Sequence, residues 1–220
     1  NNSLGSTENI FIGVDSGGGT WADVASSNNV AIGNYSMDAA LNGATYNVGI
    51  GFNALTDLTT ADSTVAIGGL CLENITTGTE NTAVGTSAMR NSTTGSNNTA
   101  LGRQAMGSGI TTGDDNTAVG INSGLAITSG HSNVLVGKGS GQLNESGNNN
   151  VILGYLAGDG FTQNNAMTLV GALAGGAVNS NGANGSTAVG YNALGSLVSG
   201  ADNTALGLNA GDLLTTGAQN

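Results

Sequence analysis

A repeat of about 17 residues constrains this chain more than any other feature. Twelve short apolar runs each end at a glycine, which we call the anchor glycine, and neighbouring anchors are 17 to 20 residues apart. The anchors are Gly13, Gly33, Gly51, Gly68, Gly85, Gly102, Gly120, Gly137, Gly154, Gly171, Gly190 and Gly207. Self-similarity at a fixed period indicates stacked units. We therefore expect residues 1–220 to form a single repeat array, with longer coils at 14–33 and 172–190.

The three residues before each anchor glycine are predicted to form a strand. The residues one and three before the glycine, called the flanking columns, are aliphatic or threonine in all twelve repeats, and β-branched residues favour strands. Because residues two apart point the same way, both flanking columns are expected to be buried. The middle column, two before the glycine, is then expected to face outward. It contains no polar residue, which predicts an interface between chains. The predicted oligomer interface comprises Ala66, Ala83, Ala100, Ala118, Ala188 and Ala205.

Asparagine stands four residues before the anchor in nine of the twelve repeats, for example at Asn81, Asn98 and Asn116. Asparagine tolerates turn conformations, and stacked amides can bond one another from coil to coil. We interpret this asparagine column as structural. The anchors Gly85, Gly102 and Gly120 have the same interpretation.

Stacked units of this length predict an all-β fold. Seventeen residues are too few for a helix pair but sufficient for two short strands and two turns, which stack into a parallel β-solenoid of about twelve coils. The absence of proline and a charged fraction of only 8% fit this fold, because proline removes a sheet hydrogen bond and stacked like charges repel. The next anchor would fall at position 224, so we expect the chain to be a fragment of a longer fibre.

Several repeats resemble a known family. The motif Asn-Thr-Ala-Val-Gly-x-x-Ala at 81–88 and the Val-Ala-Ile-Gly cores at 30–33 and 65–68 are similar to the head repeats of YadA-like trimeric autotransporter adhesins. Trimeric phage tail fibres carry similar repeats. The resemblance implies a left-handed parallel β-roll assembled as a homotrimer. It also implies an extracellular fibre, on a virion tail or a bacterial cell surface, that mediates attachment to a host or surface.

Composition and residue counts exclude several other functions. The net charge is −11, and Arg90, Arg103 and Lys138 are the only basic residues beside one histidine, so no nucleic-acid partner is expected. No stretch is long and apolar enough to insert into a membrane. One cysteine, Cys71, and one histidine, His131, cannot build a Cys/His metal site, and no catalytic constellation occurs. We therefore expect no enzyme activity, no metal and no cofactor.

Aromatic residues are the candidates for ligand contact. Trp21 lies in the long first coil, and Tyr155 and Tyr191 directly follow anchor glycines. Such rings can stack on sugars, so a cell-surface glycan or protein receptor is the expected external partner. An ice-binding β-solenoid is the alternative, supported by threonine pairs at 59–60, 76–77 and 93–94.

Overall fold

Twelve strands of three residues make up the regular secondary structure of this chain. The structure is a computed structural model that describes residues 7–19, 24–176 and 182–220, and these ranges contain no helix. The strands are β1 (Ile10–Ile12), β2 (Val30–Ile32), β3 (Val48–Ile50), β4 (Val65–Ile67), β5 (Thr82–Val84), β6 (Thr99–Leu101), β7 (Thr117–Val119), β8 (Val134–Val136), β9 (Val151–Leu153), β10 (Thr168–Val170), β11 (Thr187–Val189) and β12 (Thr204–Leu206). Each strand occupies the three positions that the sequence predicts.

The chain divides into two compact units, residues 1–112 and residues 113–220. Unit 1 contains β1–β6 and unit 2 contains β7–β12. A coil is one strand with the residues that lead to the next strand, and coils are numbered by their strands.

Strands within each unit pair in parallel and in register. In unit 1, for example, Ala66 lies opposite Ala83. In unit 2, Thr168 lies opposite Thr187. Equivalent residues of adjacent coils are therefore separated by about 4.8 Å, the usual spacing of paired strands. The prediction of an all-β, parallel solenoid is confirmed in both units.

The predicted second strand of each coil is absent from the described residues, which form turns after the anchor glycine. The second and fourth residues after the anchor have positive φ, 57° at Ser87 and 46° at Met89. The Ser87 N–H donates to Gly69 of the preceding coil, whereas the Met89 N–H donates to Ala105 of the following coil. In a regular strand, N–H groups two residues apart point to the same neighbour, so this segment is a different conformation. The fourth residue after the anchor glycine is Met, Leu or Gly in all twelve repeats. None of these is β-branched, and β-branched residues strongly disfavour positive φ.

The core of each coil lies between the strand and this turn segment. In coil 5, Ala83 of the strand shares the interior with Met89, and both are fully buried. In coil 8 of unit 2 the strand residue is the large one, Leu135, and the turn residue is the small one, Gly141. A Cβ atom added to Gly141 would lie 2.9 Å from a Leu135 methyl carbon. Large and small residues thus exchange places while the interior stays filled, as close packing requires.

The anchor glycines have φ between 129° and 143°, a region that is essentially restricted to glycine. They also stack closely. A Cβ atom on Gly85 would lie 2.6 Å from the carbonyl carbon of Gly102 in the next coil. Backbone conformation and close stacking therefore both require glycine at the end of the strand, which is why the repeat is visible in the sequence.

Candidate assembly and binding surfaces

The middle column points into the coil, so the prediction that it faces outward is wrong. Its predicted interface residues are 0% exposed within a single chain, apart from the last of them at 7%. They are Ala66, Ala83, Ala100, Ala118, Ala188 and Ala205. The physical reason is the period of two along a strand. The asparagine column, two residues earlier, is buried, so the middle column lies on the same inner side, and alanine fits there because the turn residue fills the space.

The flanking columns form the outer face of the strands instead. Although aliphatic or threonine in every coil, they are half-buried or exposed in all of them. Well-exposed members are Ile32, Ile67 and Leu101 in unit 1 and Val134, Val136 and Val151 in unit 2, at 36–39% each. Neither flanking column contains a charged residue. Each unit therefore presents an uncharged, largely aliphatic strip with threonines, which we call the flanking strip, on the side of the strand opposite to the predicted one.

The asparagine column forms a buried amide ladder, as the sequence predicts. In unit 2, the Oδ1 atom of Asn116 accepts hydrogen bonds from the backbone N and the Nδ2 of Asn133, at 3.1 and 2.9 Å. The same Nδ2 donates to the carbonyl of Gly147 at 2.8 Å. Asn150 repeats the pattern on Asn133. In unit 1, Asn47 bonds to Asn29 in the same way. Each buried amide is satisfied only because the next coil is in register.

Replacing Asn133 with alanine should lower the free energy of unfolding by about 3 kcal/mol, because buried groups of Asn150 and Gly147 lose partners and each such loss costs roughly 1–3 kcal/mol. Asn133→Ser is the matched control. Serine occupies this place at Ser186, where its hydroxyl accepts the N–H of Asn203 at 3.2 Å. Urea unfolding of the two variants measures the difference. Serine should cost less than alanine, because its hydroxyl can still accept the Asn150 N–H, and a loss below about 1 kcal/mol for Asn133→Ala would contradict a stabilising role of the ladder.

A second ladder, two residues earlier, was not predicted. In unit 1 the Thr45 N–H donates to Asp62 Oδ1 at 2.6 Å. In unit 2 the His131 N–H donates to Asn148 Oδ1 at 2.8 Å, and the Asn148 N–H donates to Asn165 Oδ1 at 2.7 Å. Here the donor lies in the earlier coil, whereas in the asparagine ladder it lies in the later coil. The signal in the sequence is weak, because Asp, Ser and Asn all serve as the short acceptor.

The residue directly after the anchor glycine forms an exposed ridge. In unit 2, Tyr155 and Tyr191 belong to this ridge and are 50% and 53% exposed. The Nζ atom of Lys138 lies 5.7 Å from the centre of the Tyr155 ring. In unit 1, Phe52 is exposed and packs edge-on against Tyr35. The structure thus places both predicted tyrosines at the surface of one unit, whereas Trp21 lies outside the described residues.

Cys71, which carries the one thiol of the sequence, is buried and unreactive. Its Sγ donates to the carbonyl of Ala83 at 3.3 Å. Burial raises the pKa of the Cys71 thiol to about 12, so the nucleophilic thiolate is scarcely populated at neutral pH. The side chain therefore acts as a small packing residue. His131 is exposed, and the described residues contain no group of three metal-ligating side chains.

The charged side chains of unit 1 include one ion pair, in which Arg90 Nε lies 2.6 Å from Glu73 Oε2. Burial, and secondarily the charge of Glu73, raise the pKa of the nearby Asp57 carboxyl. A raised pKa means that the fold favours the protonated form. Acidification through that pKa therefore relieves a destabilising charge, which is opposite to the usual effect of acid on a paired carboxylate.

Two further findings bear on identity. Among the described residues, no helix is long and apolar enough for a membrane crossing. Comparisons with protein-family models, curated proteins and solved structures found no match to this chain.

Proposed function

We propose that this chain is part of an extracellular structural and adhesive fibre shaft, either a phage tail fibre or a bacterial surface adhesin or filament. The flanking strip supports the proposal most directly. Monomeric soluble proteins rarely leave large contiguous apolar patches uncovered. A second copy of the chain is a suitable cover, because every coil repeats the pattern and in-register copies meet like with like.

The assembly in this proposal is a parallel homotrimer of left-handed coils. Both features are implied by the resemblance to YadA-like head repeats. In this proposal the interface is the flanking strip and not the alanines of the middle column. Closed cyclic symmetry would cover the strip equally in all three copies. A long interface of identical coils also suits a shaft that separates an attachment point from its anchor.

Lysine substitutions in the flanking strip test the assembly. Ile67 and Leu101 are 39% and 38% exposed, so Ile67→Lys and Leu101→Lys should keep the fold while the long side chain reaches water. In the assembly the same charges would be buried without partners, at a cost of roughly 3–5 kcal/mol each. We expect light scattering to show monomers, with an unchanged circular dichroism spectrum.

Ile110→Lys is the matched control, because Ile110 is an aliphatic residue of unit 1 that is 62% exposed and lies outside the strands. This variant should retain the oligomer. The proposed assembly fails if the unmodified chain is a folded monomer. It also fails if the two strip variants retain the mass of the unmodified oligomer.

Ice binding is the second candidate function. In unit 1, Thr60, Thr77 and Thr94 are exposed at equivalent places in successive coils. The preceding threonine has another role, since Thr59 and Thr76 donate their hydroxyls to the backbone of the next coil. One exposed column at a bend offers less area than a flat face. Thermal hysteresis without attachment to cells or glycans would favour this function over the adhesive one.

A further inference from the structure

We infer that unit 2 contains a slot for one sugar ring of a neutral glycan, formed by Tyr155, Ala172 and Tyr191. The inference rests on the adhesive function proposed above and names the class of its ligand. The three residues occupy the same ridge position in coils 9, 10 and 11. A large aromatic side chain therefore stands on each side of a residue that has no atoms beyond Cβ.

Backbone hydrogen bonds fix the spacing of this slot. The N–H of Leu173 donates to the carbonyl of Tyr155, and the N–H of Asn192 donates to the carbonyl of Ala172, both at 2.9 Å. Two coil spacings separate the tyrosines by roughly 10 Å along the stack. A ring held between two others needs van der Waals contacts of about 3.5–4.0 Å on each side, or roughly 7–8 Å in total. A small tilt of either tyrosine ring would narrow the gap between the two tyrosines to this width.

Lys138 determines which side of Tyr155 receives the ligand. It belongs to coil 8, and its ammonium lies 5.7 Å from the centre of the Tyr155 ring. A cation over an aromatic face is attracted to the ring and restrains it. Because Ala172 belongs to the coil on the opposite side of Tyr155, the gap above Ala172 remains open to a ligand. Tyr191 bounds that gap on its far side and is 53% exposed.

Charge selects a neutral ligand. Lys138 stands beside the Tyr155 ring and repels cations, so a cationic ligand is disfavoured here. The net charge of −11 repels acidic polymers. An uncharged ligand with an apolar ring face and peripheral hydroxyls fits best. The ring face would contact the tyrosines, and the hydroxyls would meet the tyrosine O–H groups.

Saturation-transfer NMR and calorimetry with three neutral hexasaccharides, cellohexaose, mannohexaose and N-acetylchitohexaose, test the slot on the full chain. We expect at least one to bind. Tyr155→Ala and Tyr191→Ala should each lower its association constant about tenfold, the order expected for a lost aromatic contact. Ala172→Phe should fill the gap and abolish binding. Circular dichroism and oligomeric mass should not change in any of these variants.

Phe52→Ala is the matched control, because Phe52 holds the same ridge position in unit 1, is 54% exposed, and lies outside the slot. This variant should bind normally. Absence of binding by all three hexasaccharides, or binding that survives Ala172→Phe, would overturn the inference. Preferential binding of polygalacturonate would also overturn it. If the chain attaches to cells and the slot variants attach equally well, the slot fails while the adhesive function stands. A folded monomer that attaches to nothing removes the adhesive function itself.

Discussion

Ala83→Asp should prevent unit 1 from folding, whereas Val84→Asp, one residue along the chain, should leave the fold intact and disrupt assembly. Ala83 is 0% exposed and lies inside the coil, between the strand and the Met89 side chain. An unpaired carboxylate there costs several kcal/mol even after it takes up a proton. That cost is comparable to the total stability of a typical domain, which is about 5–15 kcal/mol. Val84 belongs to a flanking column, where an added carboxylate reaches water.

Circular dichroism and light scattering of the two aspartate variants separate these outcomes. Ala83→Gly is the control for the buried position, because Gly49 occupies the equivalent place in coil 3. It should fold with a loss of about 1 kcal/mol. A folded, monomeric Ala83→Asp variant would contradict the inward orientation and would restore the middle column as the interface. An unfolded Val84→Asp variant would contradict the outward orientation of the flanking columns.

Exchanging the large and small core residues of coil 8 should restore most of the stability that either change removes alone. Leu135→Ala creates a cavity at a fully buried site and should cost about 3 kcal/mol. Gly141→Leu alone overfills the interior and should cost roughly 1–3 kcal/mol. Backbone strain is not the main obstacle, because Leu55 has φ of 56° at the equivalent position and Gly141 has φ of 54°. The double variant recreates the size order of coil 5, where the strand residue is Ala83 and the turn residue is Met89.

Chemical denaturation of the single and double variants gives the coupling energy, which we expect to be about 2 kcal/mol in the favourable direction. Leu143→Ala combined with Gly141→Leu is the control pair, since Leu143 lies in the same coil but is 46% exposed. The effects of these two control substitutions on the free energy of unfolding should add. Additive effects for Leu135 and Gly141 would show that the two residues do not share a common space.

The position of every strand could be predicted from the sequence, but its inner face could not. The glycine period and the β-branched flanking residues locate β4 and β5, for example, and both strands occur there. A three-residue strand without charged residues fits either orientation. The prediction that the larger flanking residues are buried was wrong. The deciding signal was available four residues after the anchor, where Leu72 and Met89 are large, apolar and not β-branched, and therefore suited to the interior and not to a strand face turned to water. These residues fill the interior and leave space only for alanine beside them.

The candidate surfaces were also predicted only in part. The positions of Tyr155 and Tyr191 after the anchor glycine were sufficient to predict that they lie at the surface, because that position recurs outside the core in every described coil. The slot between them was not predicted, because it depends on Ala172 being aligned between two tyrosines by coil-to-coil hydrogen bonds. The ladder through Asp62 and Asn148 was also missed. Each of its members supplies a side-chain oxygen as the acceptor, but the residue type differs from coil to coil.

The opposite directions of the two side-chain ladders have a mechanical consequence. The Asn133 side chain donates to Asn116 in the earlier coil, whereas the His131 N–H donates to Asn148 in the later coil. These bonds and the backbone bonds run along the stacking direction. Tension in that direction therefore loads all the bonds between two coils simultaneously, so that none breaks before the others carry force. We therefore expect the separation of two coils along this direction to require many hydrogen bonds to break together, in a chain that has few charges and one cysteine.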